Sequence, residues 1–235
     1  MKPIIGIVEW PYDDIDGDKI YEVPNEIVEK VSSAGGIPIG IFPTQICKFQ
    51  DTKLADIPPL SKIEKSDIIS AINMCDAIIK PGTLKVYEFD KFIHDYTVVR
   101  DMPYLGICGG MQLMTYPSGK LKSTHPNEPV CNLDMHKSKE KYAHSVNIKI
   151  NSKLYDILKT DRILVNSQHR YRIVDSNDCF VSAIADDGTI EAIEIKGKSF
   201  QIGVQWHPEK LNDKNSEILF NNLIEEANVY KLKRK

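Results

Sequence analysis

Cys108 lies in Gly106-Ile107-Cys108-Gly109-Gly110, directly after the apolar run Pro103-Tyr104-Leu105, and His207 of Gln205-Trp206-His207-Pro208-Glu209 follows it by 99 residues. A buried strand that ends in Gly-x-Cys-x-Gly and passes at once into a helical pattern reads as a nucleophile elbow. The glycines let the chain turn sharply and leave the thiol exposed at the strand's carboxyl end. A thiolate there attacks a carbonyl carbon, a histidine beside it acts as base, and an acid orients that histidine. Cys108, His207 and Glu209 supply all three, so the chemistry implied is attack on an amide through a thioester. A lone cysteine in an apolar strand is more often a small core residue. The two motifs together, each at the end of an expected strand, favour the nucleophile. In an α/β-hydrolase the acid precedes the histidine and lies apart from it; here it follows by two residues, which disfavours that fold.

The roles follow from the chemistry. His207 and the N-terminus of the helix after Cys108 favour the thiolate. Negative charge then builds on the carbonyl oxygen, where the backbone N–H of Gly109 is placed to receive it. His207 next gives a proton to the leaving amine and later activates water on the thioester.

Such residues need a rigid scaffold, and strands and helices alternate along the first half, the sign of a parallel sheet covered on both faces. Ile4 to Val8 reads as a strand. Pro24 to Ala34 reads as a helix with Ile27, Val28 and Val31 on one face and Gly35-Gly36 ending it. Ile37 to Phe42 returns as a strand, Ser66 reads as the N-cap of a helix through Asn73, and Ala77 to Lys80 is a strand opening into Pro81-Gly82-Thr83. Glu88 to Arg100 carries Phe89, Phe92, Ile93 and Tyr96 at helical spacing and leads to the elbow. Tyr116 to Tyr142 is polar and broken by Pro117, Gly119, Pro126 and Pro129, which predicts a long surface segment near the site. Val146 to Ile150, Phe180 to Ile184, Ile190 to Ile195 and Phe200 to Val204 read as strands, with Asp187-Gly188 as a hairpin turn. Ser216 to Ala227 closes the chain as an amphipathic helix. The expected fold is α/β, a three-layer, open, mostly parallel sheet with helices on both faces and a small antiparallel β extension. Residues 1–235 read as one domain, since no repeat, low-complexity run or linker divides them.

The motifs resemble those of the class I glutamine amidotransferase superfamily, with Gly106, Cys108, Gly110 and Gln112 at the elbow and His207, Pro208 and Glu209 near the C-terminus. Within it the chain is most similar to the γ-glutamyl-γ-aminobutyrate hydrolase group, on Lys2-Pro3-Ile4-Ile5-Gly6-Ile7, Ala34-Gly35-Gly36-Ile37-Pro38 and Val165-Asn166-Ser167-Gln168-His169. The resemblance implies a flavodoxin-like sheet and a small γ-glutamyl compound or glutamine as substrate. It also implies a second oxyanion donor at Thr83 of the Pro81-Gly82-Thr83 loop, and a pocket formed by Gly82, Gln112 and the wall His169, Arg170 and Tyr171. Arg170 or Arg172 could pair with a carboxylate as a bidentate fork. Four residues depart from the pattern. Thr83 stands where the loop usually has a second glycine, and a Cβ resists φ > 0, so the loop is expected to rearrange before its N–H points at the oxyanion. Gly109 replaces a usual basic residue, and His169-Arg170-Tyr171 replaces His-His-Gln. The alternatives are a glutaminase subunit that supplies ammonia to a separate synthase, and a catalytically silent binding protein of the same fold.

Composition narrows the setting. A net charge of −3 offers no general attraction for nucleic acid or an anionic membrane, and Lys231-Leu232-Lys233-Arg234-Lys235 reads as a solvated end. Five cysteines without regular spacing argue against a disulfide framework and for a reducing compartment. Cys47, Cys75, Cys131 and Cys179 are expected to be structural or incidental. Without CxxC or HxxxH no metal site is expected, and no cofactor. No secretory h-region and no apolar run near 18 residues appears, so a cytoplasmic protein is expected. A homodimer is left open.

Overall fold

The structure, a computed structural model, describes residues 1–13, 16–45, 58–83, 86–116, 127–129 and 133–234. The first half runs β1 (Ile4–Val8), β2 (Trp10–Asp13), β3 (Lys19–Glu22), α1 (Asn25–Ser33), β4 (Ile37–Ile41), α2 (Lys62–Ile72), β5 (Ala77–Lys80), α3 (Glu88–Arg100), β6 (Tyr104–Ile107) and α4 (Gly109–Met114). There follow β7 (Asn127–Pro129), α5 (Leu133–His136), β8 (His144–Ile148), α6 (Lys153–Leu158), β9 (Arg162–Val165) and β10 (Tyr171–Ile173). Last come β11 (Phe180–Ala185), β12 (Ile190–Glu194), β13 (Gln201–Val204), a 3-10 turn (Pro208–Lys210) and α7 (Lys214–Lys233).

Among the described residues nine strands form one sheet in the order β4-β1-β5-β6-β13-β12-β11-β8-β9. The first five are mutually parallel and the rest are added antiparallel. The expected β extension is therefore a continuation of the main sheet through β13. The parallel strands are continuous apolar runs because both faces are covered. Side chains alternate between two cores: Ile5, Ile7, Ala77, Ile79, Leu105 and Ile107 face α1, α6 and α7, whereas Val8, Ile78 and Tyr104 face α2, α3 and α4. β6 is central, between β5 and β13, so the peptide after it is held on both sides. The expected open, mostly parallel α/β sheet with helices on both faces is present.

One local expectation is corrected and another is refined. The cap of α2 is Ser61, not Ser66: Ser61 Oγ accepts from Glu64 N and Glu64 Oε2 accepts from Ser61 N, a capping box that starts the helix a turn earlier. The basic tail is exposed at Leu232, Lys233 and Arg234, as a solvated end would be, yet it is anchored through two of its cations. α7 continues to Lys233, Lys231 Nζ lies 3.3 Å and Arg234 Nη2 2.6 Å from the buried carboxylate of Asp76, and Asp76 Oδ2 also accepts from Ile4 N at 2.8 Å. A buried carboxylate just before β5 needs cations, and the tail supplies them. The hairpin at Asp187-Gly188 forms with Gly188 at φ +87°. Cys47, Cys131 and residues 117–126 and 130–132 of the polar segment lie outside the described residues.

Candidate active site

Cys108 follows β6 directly, and its backbone nitrogen donates to the Val204 carbonyl at 2.8 Å, the last link of the β6–β13 ladder. Its carbonyl receives Met111 N and Gln112 N, so α4 starts at once. Between these two restraints Cys108 takes φ 51° and ψ −107°. Such a conformation is unfavourable for a residue with a Cβ and persists only where the surroundings impose it. The sharp turn is thus taken by Cys108 itself. The flanking glycines serve close approach: a Cβ on Gly106 would lie 2.5 Å from the Gly110 carbonyl oxygen, and one on Gly110 would run into the Lys80 carbonyl.

The loop after β5 packs against the elbow. Lys80 Nζ is 2.8 Å from Asp90 Oδ1, both side chains being buried, and Asp90 Oδ2 caps the Tyr87 backbone nitrogen at 2.8 Å. This pair ties the end of β5 to the start of α3, and removing one partner of a buried pair typically costs about 3–5 kcal/mol. Thr83 has no positive φ, so the loop stands in a backbone conformation open to a residue with a Cβ. Its backbone lies against Gly109, where a Cβ would meet Thr83 O at 2.5 Å and Thr83 N at 2.8 Å. Only glycine fits there, which accounts for the absence of a larger residue after Cys108. A Cβ on Gly82 would stand 3.0 Å from His207 Cε1, 3.7 Å from His207 Nε2 and 3.2 Å from Cys108 Cβ; the Gly82 Cα therefore floors the gap between thiol and imidazole.

His207 Nδ1 lies 2.6 Å from Glu209 Oε1, and Glu209 is buried in the 3-10 turn. Burial would depress the imidazole, but the Glu209 charge and hydrogen bonds with Cys108 and Glu209 outweigh it, so that His207 is pushed up to about 10. An imidazolium held between a thiol and a carboxylate can stabilise a thiolate, give up a proton and recover it. The structure therefore brings Cys108, His207, Glu209, Gly82, Thr83 and Gly109 together.

The proposed pocket wall is arranged differently from a row of open side chains. Gln112 does not face solvent: its Nε2 donates to the Tyr171 carbonyl at 3.1 Å and to Gln205 Oε1 at 3.0 Å. His169 is buried, with Nδ1 3.0 Å from the same Tyr171 carbonyl. Arg170 and Tyr171 are exposed. β10, which begins at Tyr171, pairs with β7, so part of the Tyr116 to Tyr142 segment adjoins this wall. Sequence reasoning passed over Asn166, a buried residue whose Oδ1 accepts from His207 N and whose Nδ2 donates to the His207 carbonyl, both at 2.8 Å. A polar Asn after the apolar run Ile163-Leu164-Val165 was the available signal. Two other cysteines are described. Burial, then the Asp76 charge, push the Cys75 thiol up to about 12 against the opposing Arg234. Burial and Asp178 likewise raise Cys179 to about 11 against Lys91.

The family described as Peptidase C26 matches residues 3–209. A glutamine amidotransferase-like protein of Rickettsia prowazekii is 27% identical over an alignment that covers 97% of this chain and 99% of that protein. A CTP synthase of Nautilia profundicola is 28% identical over 79% of this chain but only 39% of its own length. Among solved structures, the glutaminase domain of Trypanosoma brucei CTPS with bound acivicin superposes with a TM-score of 0.68 at 16% identity, covering 97% of this chain and 94% of that one. Among the described residues no helix is long and apolar enough to cross a membrane.

Proposed function

The chain belongs to the peptidase C26 family of class I glutamine amidotransferase-like proteins, and we propose that it is a cysteine-dependent hydrolase of the γ-glutamyl amide bond in a small γ-glutamyl amine or peptide. The observation that carries this reading is the contact series at the end of β6: a strained Cys108 and the His207 ring, both against the Gly82 backbone, with His207 Nδ1 2.6 Å from Glu209. The Cys108 thiolate attacks the γ-carbonyl carbon, and the oxyanion takes N–H donors from Gly109 and Thr83, each worth roughly 3 kcal/mol where such a donor has been removed elsewhere. Collapse breaks the C–N bond, the amine leaves with the His207 proton, and a γ-glutamyl thioester remains on Cys108. His207 then takes a proton from water, hydroxide adds to the thioester, and glutamate leaves as the thiol is restored. Gly82, Gln112, His169, Arg170 and Tyr171 form the surroundings of the glutamyl end. The free thiols of Cys75, Cys108 and Cys179 support a reducing, cytosolic setting, and the continuous sheet supports reading residues 1–235 as one domain.

A second reading, a glutaminase subunit that passes ammonia to a separate synthase, is favoured by one observation: the CTP synthase relative is matched over only 39% of its length. A synthase portion would then be a partner chain. The deciding experiment is a mass-spectrometric screen of the protein beside Cys108→Ala, against glutamine and a panel of γ-glutamyl amines and peptides. Cys108-dependent glutamate release from a panel member without any partner supports the hydrolase. Silence on the whole panel rejects it and directs the search to a synthase subunit.

A further inference from the structure

Outside the Cys108, His207 and Glu209 set, three of the six histidines meet one carboxylate in the interior. His136 ends α5, His144 opens β8, His169 lies between β9 and β10, and Glu191 is on β12. All four are buried, His136 and Glu191 completely. His136 Nδ1, His144 Nε2 and His169 Nε2 approach Glu191 Oε1 at 3.5, 3.7 and 3.4 Å, and the ligand atoms of all four lie within 4.8 Å of one another. His144 Nε2, His169 Nε2 and both Glu191 oxygens have no hydrogen-bond partner.

The outward nitrogens define the charge of this cluster. His136 Nε2 is 2.9 Å from Asp187 Oδ2, His169 Nδ1 is 3.0 Å from the Tyr171 carbonyl, and His144 Nδ1 is 3.2 Å from the Ser145 carbonyl. Each of those oxygens accepts, so each outward nitrogen carries a proton and, in the neutral imidazole, each inward nitrogen presents a lone pair. Ser167 Oγ, 3.4 Å from His136 Nδ1, donates its one proton to the His136 carbonyl at 3.2 Å. Three lone pairs and a buried carboxylate therefore face one another without a donor. Each unpaired group costs about 1–3 kcal/mol, and a charged one more, unless a cation sits among them.

We propose that His136, His144, His169 and Glu191 bind a divalent transition-metal ion of the zinc type in a closed, structural site. Ligands at zinc distances put the corners of a tetrahedron about 3.3 Å apart, close to the 3.4–3.7 Å separations from Glu191 Oε1; the widest separation contracts on binding. Three imidazoles and one carboxylate suit zinc better than the all-oxygen shells of calcium or magnesium. Asp187 behind His136, and backbone carbonyls behind the other two, are the outer partners that orient metal-bound histidines and raise their basicity. The ion fastens α5, β8, β12 and the His169 turn to one another. Through the Tyr171 carbonyl, which accepts from both His169 and Gln112, it stiffens the wall beside the elbow without entering the chemistry. The ligands span residues 136 to 191 in no regular spacing, so no motif announces them.

The test uses the full-length Cys108→Ala chain, which keeps the reactive thiol from taking up metal. Elemental analysis after zinc loading and dialysis into metal-free buffer should find about one zinc per chain. Cobalt(II) should give the d–d bands of a four-coordinate ion with no thiolate charge-transfer band. Adding Asp187→Asn, which retains the Oδ1 that caps Thr189 N at 2.9 Å, should weaken zinc about 10–100-fold against a chromophoric chelator. Adding Glu191→Gln should abolish retention. Less than a tenth of an equivalent in the Cys108→Ala chain overturns the proposal, as does undiminished affinity in the Asp187→Asn chain, which decides the matter if the Glu191 variant does not fold. Hydrolase activity enters none of these readouts, so the proposal stands or falls apart from the proposed function.

Discussion

Asn166 grips the His207 peptide from both ends, accepting from its nitrogen and donating to its carbonyl at 2.8 Å each. Glu209 fixes only the ring, so the backbone from which that ring projects is set by Asn166. Replacing Asn166 with Ala leaves two buried polar groups unpaired, at about 1–3 kcal/mol each, and lets the imidazole drift. Asn166→Ala is expected to lower kcat about 100-fold with little change in KM, whereas a role confined to folding would reduce the active fraction and leave the kcat of correctly folded molecules intact. Active-site titration beside steady-state kinetics separates the two.

Gly82 is the second positioning element. Its φ is not positive, so the backbone accepts Ala, but the added Cβ would press on His207 Cε1 at 3.0 Å and Cys108 Cβ at 3.2 Å. Gly82→Ala should keep its melting temperature within a few degrees and lose about 100-fold in turnover, because a displacement of an ångström between nucleophile and base is that costly. Gly110→Ala, whose Cβ would enter the Lys80 carbonyl, should instead fail to fold. Thermal melts of both variants check the contrast.

These two glycines show what could be read from the sequence. The Cys108, His207 and Glu209 triplet was legible because its members lie in two short motifs, and the central strands because continuous apolar runs have one good burial. β5 and α3 fall at their expected bounds. What escaped depends on contacts across the sheet. Asn166 belongs to a segment 41 residues before its partner, the Ser61 cap won over Ser66 through a reciprocal bond with Glu64, and the basic tail docks because Asp76 is buried beneath it. The His136, His144, His169 and Glu191 cluster is assembled from four elements, so hydrophobic periodicity carries no trace of it.

The pH dependence follows from His207. Its folded value, pushed up to about 10, stands above the ordinary 6.5 of an unfolded histidine. The stabilisation is therefore complete below about 6.5 and is lost as pH rises through the folded value. Between those limits the folded chain binds more protons than the unfolded one, and stability should fall by up to about 1.4 kcal/mol per pH unit. Urea unfolding at intervals from pH 6 to 10 should show a steeper decline in the wild type than in His207→Ala. Identical slopes would mean that the imidazolium is not held. Cys108→Ala should keep part of the slope, since Glu209 contributes ahead of the thiol.

The strain at Cys108 makes the last prediction the most specific. With φ 51° the residue occupies backbone space that a Cβ disfavours, at a cost of order 1–3 kcal/mol. Cys108→Ala retains that cost and should match the wild type in stability within about 1 kcal/mol while losing all Cys108-dependent turnover. Cys108→Gly relieves it, offset in part by the greater freedom of glycine in the unfolded chain, and should be about 1 kcal/mol more stable than Cys108→Ala. Denaturant melts of the pair measure the difference. A glycine variant less stable than alanine would mean that the elbow bears no strain, and that the exposure of the thiol rests on side-chain packing alone.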